Sequence, residues 1–261
     1  MKFQVLNGID PKNDRESALI TDALGKYASL VAEAWDRSPV PVVFKPGASK
    51  PDAGFIPLYL LDKPTISGAE GFHDIKAGVP YADVFLATVP GGQWLHDPSG
   101  TGQSLAAVAA HELAEAMLDS MANLWASMTV TDPQSGCAYN QIAYELADPC
   151  QNYAFTVTAA DGTVVDVSDF VLPSFFDPEA AKGSKFSQMG VPTEPGQVCA
   201  GGYAIVQNTN SEGQIFARLG RVLRKCKSKP ARVFHATVKP PEWREKMFAA
   251  KQNSRSKKRL A

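Results

Sequence analysis

The sequence predicts an α+β fold on three observations. An amphipathic helix and several short strands come first, an alanine-rich helix follows at residues 104–120, and the remainder reads as β-hairpins and loops. Strands and helices do not alternate regularly, so a βαβ repeat is not expected. A chain of 261 residues with 44% hydrophobic and 20% charged side chains is large enough for a full core and ordinary for a water-soluble globular protein. No run of about 18 apolar residues suggests a membrane helix, and no export signal is recognisable.

Each element has a local reason. Residues 17–35 place Leu19, Ala23, Leu24, Tyr27, Leu30, Val31 and Trp35 at helical spacing. Residues 41–47, 54–62 and 81–89 are strand-like runs bounded by Pro and Gly, the last expected to form an edge strand. The helix at 104–120 has Ser104 as a candidate N-cap, with Thr101 competing. Residues 139–153 read as a short strand or turn closed by Asp148-Pro149, and 153–176 as a hairpin on Asp161-Gly162 with Phe155, Val157, Val165 and Val167 on one face. The run 170–178 gathers large apolar side chains around Pro173 and reads as core rather than as a cleft wall. A last strand is expected at 201–208 and a short helix at 215–225.

Charge divides the chain into an acidic body, residues 1–220, and a basic C-terminal arm, residues 221–261. The arm holds 14 Lys or Arg against 2 Asp or Glu, a net of +12, and the body 12 against 25, a net of −13. Between Lys76 and Lys182 there is no Lys or Arg at all, yet 13 Asp or Glu occur. Such a field favours bound cations and disfavours phosphate ligands.

The densest chemistry lies in "AAHELAEAMLDS". At about 100° per residue, Glu115, Asp119 and Glu112 fall within a quadrant of His111, at roughly 40°, 80° and 100°. Positions i and i+4 stack, so His111 and Glu115 can share one metal ion. Glu112 is rotated off that axis and can stand beside a metal-bound water as general base, as in the H-E-x-x-H helix. Apolar residues (Leu105, Val108, Leu118) flank the stripe, and no cation accompanies it. A further ligand is expected from "YELADP", where Glu145 and Asp148 stand at i and i+3; Asp119 is a fallback ligand or an outer hydrogen-bond acceptor. His73, His96 and His235 read as structural or surface residues. The four cysteines contain no C-x-x-C pair, though Cys137 and Cys150 could bridge across a hairpin.

The stretches "GFHDI", "YADVFLATV", "AAHELAEAMLDS", "YELADPCQNY" and "VSDFVLPSFFDP" resemble the zincin-like metallopeptidases, and more narrowly a group from bacteriophages and bacteria. The resemblance covers roughly residues 70–180. It implies a zincin-like fold, His111 as first metal ligand, Glu112 as catalytic glutamate and Glu145, with Asp148 beside it, as third ligand. Glu115 stands where the family has its second histidine. That change lowers the net charge of the site and opens zinc to replacement by calcium or manganese. Two functions follow as expectations. One is a metal-dependent hydrolase acting on a peptide or protein. The other is a virion structural protein, cytoplasmic or particle-associated, whose basic arm contacts neighbouring proteins. Nucleic acid is a weaker partner, because the body is anionic.

Overall fold

The structure is a computed structural model that describes residues 1–100, 102–131, 138–210 and 213–219. It is a mixed assembly of helices and strands with three sheets. The basic arm, His235, Thr101 and Cys137 lie outside the described residues. No described helix is long and apolar enough to cross a membrane.

The first sheet has the order β2-β1-β3-β5-β4, formed by β1 (Phe3–Asn7), β2 (Val42–Phe44), β3 (Ile56–Leu61), β4 (Gly71–Lys76) and β5 (Val79–Phe85). β1, β2, β3 and β5 run parallel, and β4 runs antiparallel to β5. Two expectations change here. The strand read at 81–89 starts at Val79, ends at Phe85 and continues as a 3-10 turn, Leu86–Thr88. It is also not an edge strand, because β4 covers it. The cause is a tight hairpin: Lys76 pairs with Val79 across Ala77 and Gly78, whose φ angles are 52° and 83°. Two positive φ values give a turn whose twist matches the strands. Only Gly78 announces it, since alanine rarely adopts that conformation.

α1 (Asp14–Ala34) and α2 (Leu105–Leu118) pack on this sheet and on each other. α1 buries Leu19, Ala23, Leu24, Tyr27 and Val31, the face expected from spacing. Trp35 follows it and donates from Nε1 to the Val171 carbonyl at 3.1 Å, pinning the helix end to the second half. Ser104 is the N-cap of α2, its hydroxyl accepting from the Ala107 amide at 3.2 Å.

The second half supplies β6 (Trp125–Thr131), β7 (Ala138–Ala143), β8 (Ala154–Thr158), β9 (Val164–Ser168), β10 (Ala204–Asn210) and β11 (Gly213–Leu219). β8 and β9 form the expected hairpin. β9 lies against α2 and both strands touch α1. The other four make an antiparallel sheet, β11-β10-β7-β6. The helix expected at 215–225 is instead β11 as far as it is described: β10 presents a full strand edge, and Gly213–Leu219 pairs with it residue for residue. A pairing partner outweighs a short helical pattern.

One apolar cluster extends from Phe3 to Val206 and joins the two halves. Tyr27 sits at its centre, with the Phe170 ring edge-on at 5.5 Å and Phe155 at 6.2 Å. Phe170, Val171 and Phe175 are fully buried, so the Pro173 run is core. Phe176 stacks on Tyr144 at 4.5 Å. Cys150 faces Cys199, Sγ to Sγ 3.1 Å, so the described partner of Cys150 is a thiol from the 199–203 loop.

Candidate metal centre

α2 is enclosed by β4, β5, β9 and α1, so its polar stripe points into protein. Glu115 is 0% exposed, Glu112 2% and Asp119 3%. Carboxylates at such depth need a compensating charge or hydrogen bonds. Two imidazoles approach them.

His111 Nε2 lies 3.2 Å from Glu115 Oε1 and 3.2 Å from Asp148 Oδ1. The i, i+4 pair thus meets as its spacing requires. Asp148 opens the 3-10 turn Asp148–Cys150, with Pro149 as its second residue. That turn is anchored from below: its carbonyls at Asp148 and Pro149 accept from the amides of Tyr203 and Cys199, each at 2.9 Å. Asp148 is itself fully buried.

The second imidazole is His73, 5% exposed on β4. Its Nδ1 lies 3.3 Å from Glu115 Oε2 and 3.4 Å from Glu112 Oε2, and its Nε2 lies 3.9 Å from Glu145 Oε2. Sequence reading treated His73 as structural; it belongs to the centre. The available signal was the alternation in "GFHDIK", where Phe72 packs with Phe85 and Tyr81 on one face of β4 and leaves His73 on the other. Gly71 shares the His73 face. A β-carbon there would stand 2.8 Å from Val108 Cγ1 and 2.9 Å from Glu112 Oε1, so only glycine fits.

All five predicted site residues, Glu112, His111, Glu115, Glu145 and Asp148, therefore meet in one neighbourhood. Asp119 does not join them. It ends α2, and its Oδ2 accepts from the Leu124 amide at 2.7 Å. His96 is elsewhere, its Nδ1 bonded to Asp166 Oδ1 at 2.7 Å.

The electrostatics follow from this packing. Burial opposes protonation of both imidazoles, yet both are held well above the ordinary value. For His73 the bonds to Glu112 and Glu115 outweigh burial; for His111 the charge of Glu115 and the bond to Asp148 do so. Glu115 is held well below the usual carboxylate range: burial pushes it up, but His111 and then His73 pull it down further.

The donor set suits a divalent cation. Two donors about 2.1 Å from one ion in a tetrahedral shell stand about 3.4 Å apart, and the imidazole–carboxylate distances here are 3.2 and 3.3 Å to Glu115, 3.4 Å to Glu112 and 3.2 Å to Asp148. His73 Nε2 is buried without a hydrogen bond. Above the centre opens a cleft of about 260 Å³, bordered by Glu70, Gly71, His111, Glu112, Tyr153 and Tyr203. Only His111 and Glu112 of the centre reach that cleft; Glu115 and Asp148 lie beneath it.

β4 forms one side of the cleft and has a single strand neighbour among the described residues. The Phe85 amide donates to the Glu70 carbonyl at 2.8 Å, just ahead of the Gly71–Val84 pair. Hydrogen-bonded pairs alternate along an antiparallel ladder. The backbone groups of Gly71, His73 and Ile75 therefore point away from β5, toward the open edge. Comparison of the chain with protein-family models, with curated proteins and with solved structures gave no match.

Proposed function

We propose that the protein is a metal-dependent hydrolase of the zincin-like type, acting on peptides. The observation that carries this reading is the convergence of His111, Glu115 and Asp148 beneath a cleft that Glu112 helps to line. The order of helix, strands and second helix supports the zincin-like assignment, as does the mixed sheet beside α2. His111, Glu115 and Asp148 would hold the ion, with His73 and Glu145 on the far side of Glu115. An imidazole–carboxylate set fits zinc, and its excess of oxygen donors also admits manganese or calcium. When bound, such an ion polarises a carbonyl and makes a neighbouring water more acidic.

Glu112 then does the proton work. Its carboxylate takes a proton from a water at the cleft floor and delivers it to the departing amine. The open edge of β4, rather than β5, offers the backbone groups of Gly71, His73 and Ile75 to an extended peptide. A strand added there passes over His111 and Glu112. The pocket of Tyr153 and Tyr203 would receive a side chain of that peptide.

The test is metal content together with Glu112→Gln. Wild-type protein should purify with zinc and cleave an unfolded protein such as casein. The variant should keep its zinc and lose about 10²- to 10⁴-fold in rate. A zinc-loaded wild type that leaves unfolded substrates intact would remove the peptidase reading.

A second reading is favoured by the charge split, net +12 in residues 221–261 against −13 in the body. In it the protein is a virion component and the arm seats it on acidic neighbours, with nucleic acid a weaker contact. Removing residues 221–261 should then abolish incorporation into particles and leave metal binding intact.

A further inference from the structure

We propose that the centre holds two divalent cations, bridged by the carboxylate of Glu115. This rests on the metal reading above and goes beyond it in stoichiometry. The two oxygens of Glu115 do not face the same partner: Oε1 lies 3.2 Å from His111 Nε2, and Oε2 lies 3.3 Å from His73 Nδ1. A carboxylate that ligates one ion through one oxygen leaves the other to a hydrogen-bond donor. Here each oxygen has its own imidazole; His111 Nε2 also meets Asp148 at 3.2 Å, while His73 meets Glu112 through the same Nδ1 at 3.4 Å and Glu145 through Nε2 at 3.9 Å.

The donors divide accordingly. His73, Glu115 and Glu145 bring ligand atoms within 4.8 Å of one another, and so do His111, Glu112 and Glu115. Glu115 belongs to both groups, and Glu112 Oε2 of the second also lies 3.4 Å from His73 Nδ1 of the first. Asp148 completes the second at 3.2 Å from His111. Each side thus has one nitrogen and at least two carboxylates, a full set for zinc or manganese.

Charge points the same way. Glu112, Glu115, Glu145 and Asp148 place four formal negative charges in one largely buried pocket, in a stretch from 77 to 181 without Lys or Arg. One divalent ion offsets two of them; two offset all four. Uncompensated buried carboxylates are costly. Paired ions about 3.5–4 Å apart, clamping a substrate oxygen from both sides, are a known solution in hydrolytic sites. The anchoring is also divided: His73 comes from β4 and Asp148 from the turn held by the 199–203 loop, so each ion would tie a different half of the fold to α2.

The full-length protein, stripped with chelator and dialysed, tests this by titration with Mn(II). Two ions per chain are expected by calorimetry and elemental analysis. The loaded protein should show a spin-coupled manganese signal in electron paramagnetic resonance, not the six-line spectrum of isolated ions. His73→Gln and Glu145→Gln should each bind one ion with the coupling lost, and both should keep the wild-type circular dichroism spectrum. Glu115→Gln should remove the coupling whatever it leaves bound. One ion in the wild type overturns the bridge and leaves the mononuclear hydrolase standing; no ion overturns both. Two ions without coupling, or two retained in His73→Gln, also overturn the assignment.

Discussion

Gly71 of β4 lies directly beneath Glu112 of α2, so close that a β-carbon at 71 would sit 2.9 Å from Glu112 Oε1. The strand that supplies His73 therefore also sets the height of Glu112. Gly71→Ala adds one methyl group where Val108 and Glu112 already touch the backbone. The helix and strand must separate, or Glu112 must turn. The expected cost is about 1–3 kcal/mol in urea denaturation. Activity on unfolded substrate should fall further than stability does, while zinc content is retained. Wild-type stability and rate in this variant would show that the two elements have slack.

The metal-free protein should be most stable in mildly acidic solution. His73 and His111 have folded values raised above the ordinary 6.5, so their contribution is complete below 6.5 and disappears as pH rises through the folded values. Glu115 is lowered from 4.5; its contribution is present above 4.5 and disappears as pH falls through the folded value. Asp83, which burial pushes up to about 6, and Asp169, raised by burial, also lose stability as pH rises from 3.8. The maximum should fall between about 4.5 and 6.5 in chelator-treated samples. Zinc should remove the alkaline decline, because the ion replaces protons on the imidazoles. Urea midpoints across pH 4–9, with and without zinc, check both halves.

Cys150 and Cys199 are buried thiols 3.1 Å apart, and the first is two residues from Asp148. Diamide should oxidise this pair. The two thiols lose two protons and two electrons to the azo bond, and a disulfide closes across 49 positions of chain. Chain-entropy reasoning puts the added stability at no more than about 4 kcal/mol. Mass spectrometry of unreduced digests should recover Cys150 joined to Cys199, and Cys150→Ser should abolish the link. Recovery of Cys150 joined to Cys137 would restore the pairing that sequence spacing first suggested.

Much of the site was legible from spacing alone. Helical geometry forces His111, Glu112 and Glu115 onto one stripe, and the segment ahead of Pro149 delivers both Glu145 and Asp148 to it, though to opposite sides of Glu115, Glu145 to His73 and Asp148 to His111. Local rules suffice wherever the partners lie within one turn of each other. His73 obeys no such rule. Its side chain reaches Glu115 only because β4 folds back on β5 through Ala77 and Gly78, and that hairpin carries one glycine where two turn residues are usual. With that hairpin hidden, β5 reads from sequence as an edge, although β4 covers it. β1 and β6 were likewise not anticipated, β1 because a five-residue strand has too few alternations to stand out. For β11, the pairing that settled its form comes from β10, which no window of neighbouring residues contains.

The depth of Glu115 has a kinetic corollary. If Glu115, which has no solvent exposure, holds an ion, that side of the ion is closed to a passing chelator, and full release requires part of the enclosure to swing aside. Exchange would then proceed at the breathing rate of β4 or of the 148–150 turn, and would stay insensitive to chelator concentration once that is in excess. Metal, once captured, would act as a slow latch on the native chain.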